Sequence, residues 1–366
     1  MLLTPAGRQK IRPLSPNPWL DTRILRRTGR NAKGWFPVIG FPECTHPKTK
    51  RFGKTKAGEQ RYHCCDCGKT FTESAQKLGG MRIGMDKAAQ ILSMLCEGMS
   101  VRATARLTST DPHTVIDLLI LVGWRCQQFL KDRLRALPVE NVQVDEVWQF
   151  IYAKEKQAKD LRLDSFVGYG PKMGDSYCFT AVERATKLVI AWHFGKRLQE
   201  DTDAFCGKLA EATTGRFQLS TDGYQPYLSA VAGELGERVD YGMLIKTFGK
   251  STTEDQRQYS PAKIIGARKK PILGNPDRKQ ICTSHTERNN GSMRTFIKRM
   301  GRLTYCFSKK WDNHEAALGL YFAHYNFCRA HSSLRVKGCC DQTPAMAHGV
   351  ADHVWTMAEL LESVSA

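Results

Sequence analysis

Three carboxylates in the second half of the chain sit where acids could hold divalent metal. Asp145 lies inside "VDEVWQFI", Asp222 inside "STDGYQPY", and Glu287 inside "TSHTERNNGSMRTFIKRMGR", where it is the one acid among five arginines and lysines. Hard oxygen ligands of this kind suit Mg²⁺ or Mn²⁺, and cations close by suit a phosphodiester backbone. On a helix, Glu287, Gly291, Arg294 and Lys298 share one face, while Met293, Phe296, Ile297 and Met300 share another that would pack on a sheet. Arg299 adds a further cation for DNA. Glu146 adjoins Asp145, but strand alternation points it to the opposite face, so it is left out of the site.

A second group has softer chemistry. Cys64 and Cys67 form a C-x-x-C knuckle followed by Gly68, and Cys44 with His46 lies about twenty residues upstream. Two such pairs match tetrahedral Zn²⁺, and so small a segment needs metal to fold. Cys65 is an alternative ligand. Between the pairs, Lys48, Lys50, Arg51, Lys54 and Lys56 would form a basic loop facing DNA.

Charge points to the same partner. The chain carries +19 overall, of which residues 1–80 hold +11 and residues 246–310 hold +12, so the remainder is slightly acidic. Two concentrated basic segments suit a polyanion, nucleic acid above all. No apolar run long enough to span a bilayer and no secretory signal are present, and 13 cysteines without framework spacing suit a reducing compartment. A cytoplasmic, nucleoid-associated protein is expected.

The elements that must position these groups follow from periodicity. Residues 1–40 read as a disordered or extended leader, and 41–80 as the zinc-binding segment. Residues 86–123 show three amphipathic stretches with helix-turn-helix spacing, and Asp111 followed by Pro112 reads as an N-cap. His113 and Thr114 would then stand at the helix end that meets base edges. From about 141 the period becomes two, in the order strand, strand, strand, helix, strand, helix. A further strand at "VDYGMLIKTFG", a basic insertion over about 250–282, and helices at about 284–300 and 309–330 complete the run. If the first and fourth strands neighbour each other in one sheet, Asp145 and Asp222 converge, and Glu287 joins them from its helix.

These three acidic motifs resemble those of DDE transposases of the first-described bacterial insertion-sequence family. The tail resembles them too, through Tyr325, Asn326, Arg329, His331 and Thr343 to Ala345. The resemblance implies a ribonuclease H-like, retroviral-integrase-type α/β fold with a mixed five-stranded sheet and flanking helices. It places that catalytic domain at 138–350, behind the zinc-binding segment and a helix-turn-helix domain at 81–137, with a C-terminal tail at 351–366. It implies that Asp145, Asp222 and Glu287 hold Mg²⁺, or Mn²⁺ in its place, with Arg294 as the basic partner. The implied activity is cleavage and joining of double-stranded DNA, at the element's terminal inverted repeats and in target DNA, by a dimer or higher oligomer. A zinc-bearing transcription regulator and a ribonuclease H-like nuclease are the competing readings.

Overall fold

The computed structural model describes residues 47–56, 58–73, 77–160, 172–249, 264–335 and 341–365. The expected leader, Cys44 and His46 lie outside the described residues, as does residues 250–263 of the basic insertion.

The main sheet is built on β4 (Asn141–Ile151), with β5 (Gly174–Glu183), β6 (Val189–Gly195), β7 (Phe217–Asp222), β8 (Val239–Phe248) and β9 (Ile264–Leu273). Its order is β9-β8-β7-β4-β5-β6. The β4–β7 and β7–β8 pairs are parallel and the others antiparallel. This mixed sheet with flanking helices is compatible with a ribonuclease H-like fold. It has six strands rather than the five expected, because part of the basic insertion pairs with β8 as an outer strand. β9 carries Pro271, tolerated at an edge, and its Arg268, Lys269 and Lys270 discourage further strand pairing. The opposite edge is covered differently. Buried Asn326 accepts from the backbone N–H of Val189 at 3.0 Å and donates to its carbonyl at 2.9 Å, as a neighbouring strand would.

Ahead of the sheet come α1 (Met85–Cys96), α2 (Val101–Leu107) and α3 (Pro112–Arg133). Ser100 caps α2, and Asp111 caps α3 by accepting from His113 N–H at 2.8 Å, with Pro112 opening the helix. The third helix continues ten residues past the expected limit at 123, because Cys126 and Leu130 keep a buried face. Gly123 does not end it. A Cβ there would lie 2.1 Å from the carbonyl oxygen of Ala316, on the helix that follows the third acid.

That helix is α8 (Trp311–Phe327), preceded by α4 (Glu155–Asp160), α5 (Gln199–Ala212), α6 (Tyr227–Glu234) and α7 (Ser284–Phe296). Residues from Leu78 to Val364 share one apolar core, so the helices before the sheet and those after it pack together across position 137. After α9 (Pro344–Ala347), the segment expected as a tail forms α10 (Met357–Ser365), which buries Leu360 and Leu361 in that core.

Near the N-terminus, β1 (Thr49–Lys54), β2 (Gln60–Cys64) and β3 (Thr70–Thr72) make a small antiparallel sheet. Lys50, Arg51 and Lys54 therefore lie on a paired strand and not in a loop. They are exposed, as are Lys48 and Lys56 at either end.

Candidate active site

The main sheet splits between β4 and β7. Their ladder ends at the Gln143–Ser220 pair, whereas β4 stays paired with β5 to Ile151 and β7 with β8 to Asp222. Asp145 and Asp222 each lie two residues past that last pair and line the gap. A crevice at the carboxyl ends of parallel strands, where chain direction reverses around the first strand, is the usual place for a ligand in open α/β sheets.

Each acid is held by its own strand or turn. Asp145 accepts from the N–H of Glu146 at 2.9 Å and from Asn290 Nδ2 at 2.8 Å. Asp222 accepts from Tyr224 N–H at 3.0 Å, which bends the chain out of β7. Glu287 accepts from Thr283 Oγ1 at 2.6 Å and from Lys246 Nζ on β8. The start of α7 is tied to β4 through Gln143, whose Oε1 accepts from His285 N–H at 2.9 Å. The strand that carries the first acid thus also positions the helix that carries the third.

Glu146, left out on alternation, comes close to both aspartates. Oxygens of Asp145, Glu146 and Asp222 all lie within 4.8 Å of one another. Glu287 is not in that group; it lines the same cavity of about 640 Å³ and is bound to Lys246. Alternation does send Asp145 toward α7 and Glu146 toward Arg197, but β7 no longer closes the strand's flank at this level, so both carboxylates reach the gap.

Burial dominates the electrostatics. Burial first, and the Asp222 charge second, push Asp145 up to about 7. The same two causes, in the same order, raise Glu146 to about 8, against the pull of Arg197. Carboxylates so placed hold their charge only with a cation beside them. A divalent ion fits this donor set, since three hard oxygens converge and Glu146 Oε1 accepts no hydrogen bond.

The cations divide between two places. Half-buried Arg294 is coupled to Asp145, and burial lowers its pKa. Lys298 lies past the end of α7, which stops at Phe296 and not at 300, and it lines a second cavity of about 680 Å³ with His113 and Arg102. His113 is exposed and Thr114 half-buried. Arg299 lines that cavity as well. Its guanidinium turns inward and donates to the Asn313 carbonyl at 2.9 Å, and burial pulls its pKa down to about 10.

Around the C-x-x-C knuckle, Gly68 takes a φ of +69° and donates to the Cys64 carbonyl at 3.0 Å, which turns the chain so that Cys67 follows Cys64 around a tight bend. Cys44 and His46, the other two expected ligands, lie outside the described residues.

Sequence reasoning missed Glu146, Lys246, Asn290 and Gln143. Asn290 had a signal, standing three residues after Glu287 on the same helix face. Lys246 and Gln143 had none, since their roles depend on which strands become neighbours.

An open sheet crevice lined by clustered acids, with cations beside it, has the donors to hold a divalent ion next to a phosphodiester. The IS1 transposase family profile matches residues 275–328, which include Glu287, Arg294, Tyr325 and Asn326. The insertion element iso-IS1n protein InsB of Shigella dysenteriae is 42% identical over 48 residues, 13% of this chain and 37% of that protein. The chain therefore spans about 37% of the length of this curated relative, and over the matched stretch it is similar to IS1 transposases.

Proposed function

We propose that this protein is an insertion-sequence transposase. It binds the inverted-repeat ends of its own element as double-stranded DNA, cleaves one strand, and joins the freed 3′-hydroxyl to target DNA. The observation that carries this reading is the convergence of Asp145 and Asp222 at the split in the sheet, with Glu287 lining the same cavity.

Asp145, Asp222 and Glu287 would hold Mg²⁺, with Mn²⁺ able to replace it. A divalent ion held there would neutralise phosphate charge and ease deprotonation of the attacking water or 3′-hydroxyl. Asn290 fixes the Asp145 carboxylate, Lys246 and Arg197 place positive charge along the cavity, where a phosphodiester would lie, and Arg294 adds a charge acting on Asp145. In this reading β1 and the N-terminal end of α3 contact the element ends, the latter as a helix-turn-helix recognition helix through His113 and Thr114. Zn²⁺ held by Cys44, His46, Cys64 and Cys67 stiffens the β1–β3 segment. The complex on DNA is a dimer or higher oligomer.

A strand-transfer assay tests it, using duplexes with the element's end sequence and a free 3′-hydroxyl. Joining in Mg²⁺ is expected, and its loss in Asp145→Asn, Asp222→Asn and Glu287→Gln with DNA binding retained. Cleavage without joining would instead indicate a nuclease, and binding without cleavage a regulator.

A further inference from the structure

We infer that Glu146 is a further metal-binding carboxylate of this site, kept in place by Arg197 until the metal enters. The inference rests on the transposase reading for its chemical purpose, though not for its test. Adjacent strand residues seldom serve one ion, because their side chains leave on opposite faces. Here the flank of β4 is open beyond Gln143, and the Glu146 carboxylate comes within 4.8 Å of both Asp145 and Asp222.

Two further observations point to a ligand. The Glu146 side chain is 2% exposed, yet its Oε1 accepts no hydrogen bond. A buried carboxylate oxygen left so is costly unless a cation satisfies it. The nearest cation does not do this. Arg197 Nε stands 3.5 Å from Oε1, beyond the usual charge-assisted distance of about 2.7–2.9 Å. Its guanidinium lies instead 4.1 Å over the ring of Tyr224, and the side chain remains 39% exposed. A purely structural ion pair would close into a direct, often two-pronged contact. The observed arrangement balances charge while leaving the oxygen free for another partner, and Arg197 can swing toward solvent or phosphate when one arrives.

Mn²⁺ titration of the full chain, followed by the free-ion electron paramagnetic resonance signal, tests this without DNA. Asp145→Asn and Glu146→Gln should each weaken Mn²⁺ binding by at least about the 10- to 100-fold that loss of an outer-shell partner costs. Thermal melting serves as the control for folding. Arg197→Gln should lower the melting temperature by stranding the Glu146 charge, and the double variant Glu146→Gln/Arg197→Gln should recover it without recovering Mn²⁺ affinity. Wild-type affinity in Glu146→Gln or in the double variant, while Asp145→Asn loses it, would overturn the role of Glu146 alone. Wild-type affinity in Asp145→Asn as well would overturn the metal site and the inference together.

Discussion

Asn290 donates from Nδ2 to Asp145 Oδ2 across 2.8 Å, joining helix α7 to strand β4 at the acid that burial most affects in the proposed triad. The contact fixes which way Asp145 faces, and Asn290 stands one helical turn from Glu287, so a single helix both supplies one acid and aims another. Asn290→Ala should therefore lower Mg²⁺-dependent strand transfer by about 10- to 100-fold while DNA affinity stays unchanged. Single-turnover rates measured beside gel-shift binding check this, and equal rates would make the contact one of stability only.

Lys298 and Arg299 are neighbours with different surroundings. Both line the cavity shared with His113, but Lys298 is exposed whereas Arg299 donates inward to Asn313. Lys298→Ala should weaken DNA binding and reduce the salt slope by about one unit if it meets phosphate. Arg299→Ala should leave the slope alone and lower the unfolding midpoint, because it removes the part-buried hydrogen bond that ties Arg299 to α8. Binding isotherms at several salt concentrations, with thermal melts, separate the two.

The crossing of α3 and α8 depends on two glycines. A Cβ on Gly123 would lie 2.1 Å from Ala316 O, and one on Gly319 would lie 2.6 Å from both Gly123 O and Gln127 Cγ, so at each position backbone meets backbone and a side chain moving aside would not relieve it. Either Gly→Ala change should destabilise the protein by roughly 1–3 kcal/mol or more, the usual cost of overpacking. Urea denaturation measures it, and a change of a few tenths would show that the helices can separate freely.

Metal removal tests the N-terminal segment. If Zn²⁺ binds Cys44, His46, Cys64 and Cys67, chelation should unfold β1 to β3 while the main sheet persists, since metal binding there is folding free energy. Cys64→Ala should lose end-specific DNA binding yet keep charge-driven, non-specific binding. Zinc content well below one per chain in the purified, folded protein would reject this site.

Local rules made much of this legible. The Asp111–Pro112 start of α3, the run of strands from 141, and the apolar face of Met293, Ile297 and Met300 all depend on neighbours close in sequence, and the structure shows each of them. The convergence of Asp145 and Asp222 was also within reach, because strand order alone brings the first and fourth strands together. Tertiary structure decided the rest. Whether Glu146 can join the cluster turns on where the β4–β7 ladder stops, and ladder length is set by packing between strands more than seventy residues apart in sequence. Lys246 meets Glu287, Arg299 turns inward, and β9 becomes a sixth strand for the same reason: each outcome is fixed by a partner distant in the chain, whose position no local period encodes.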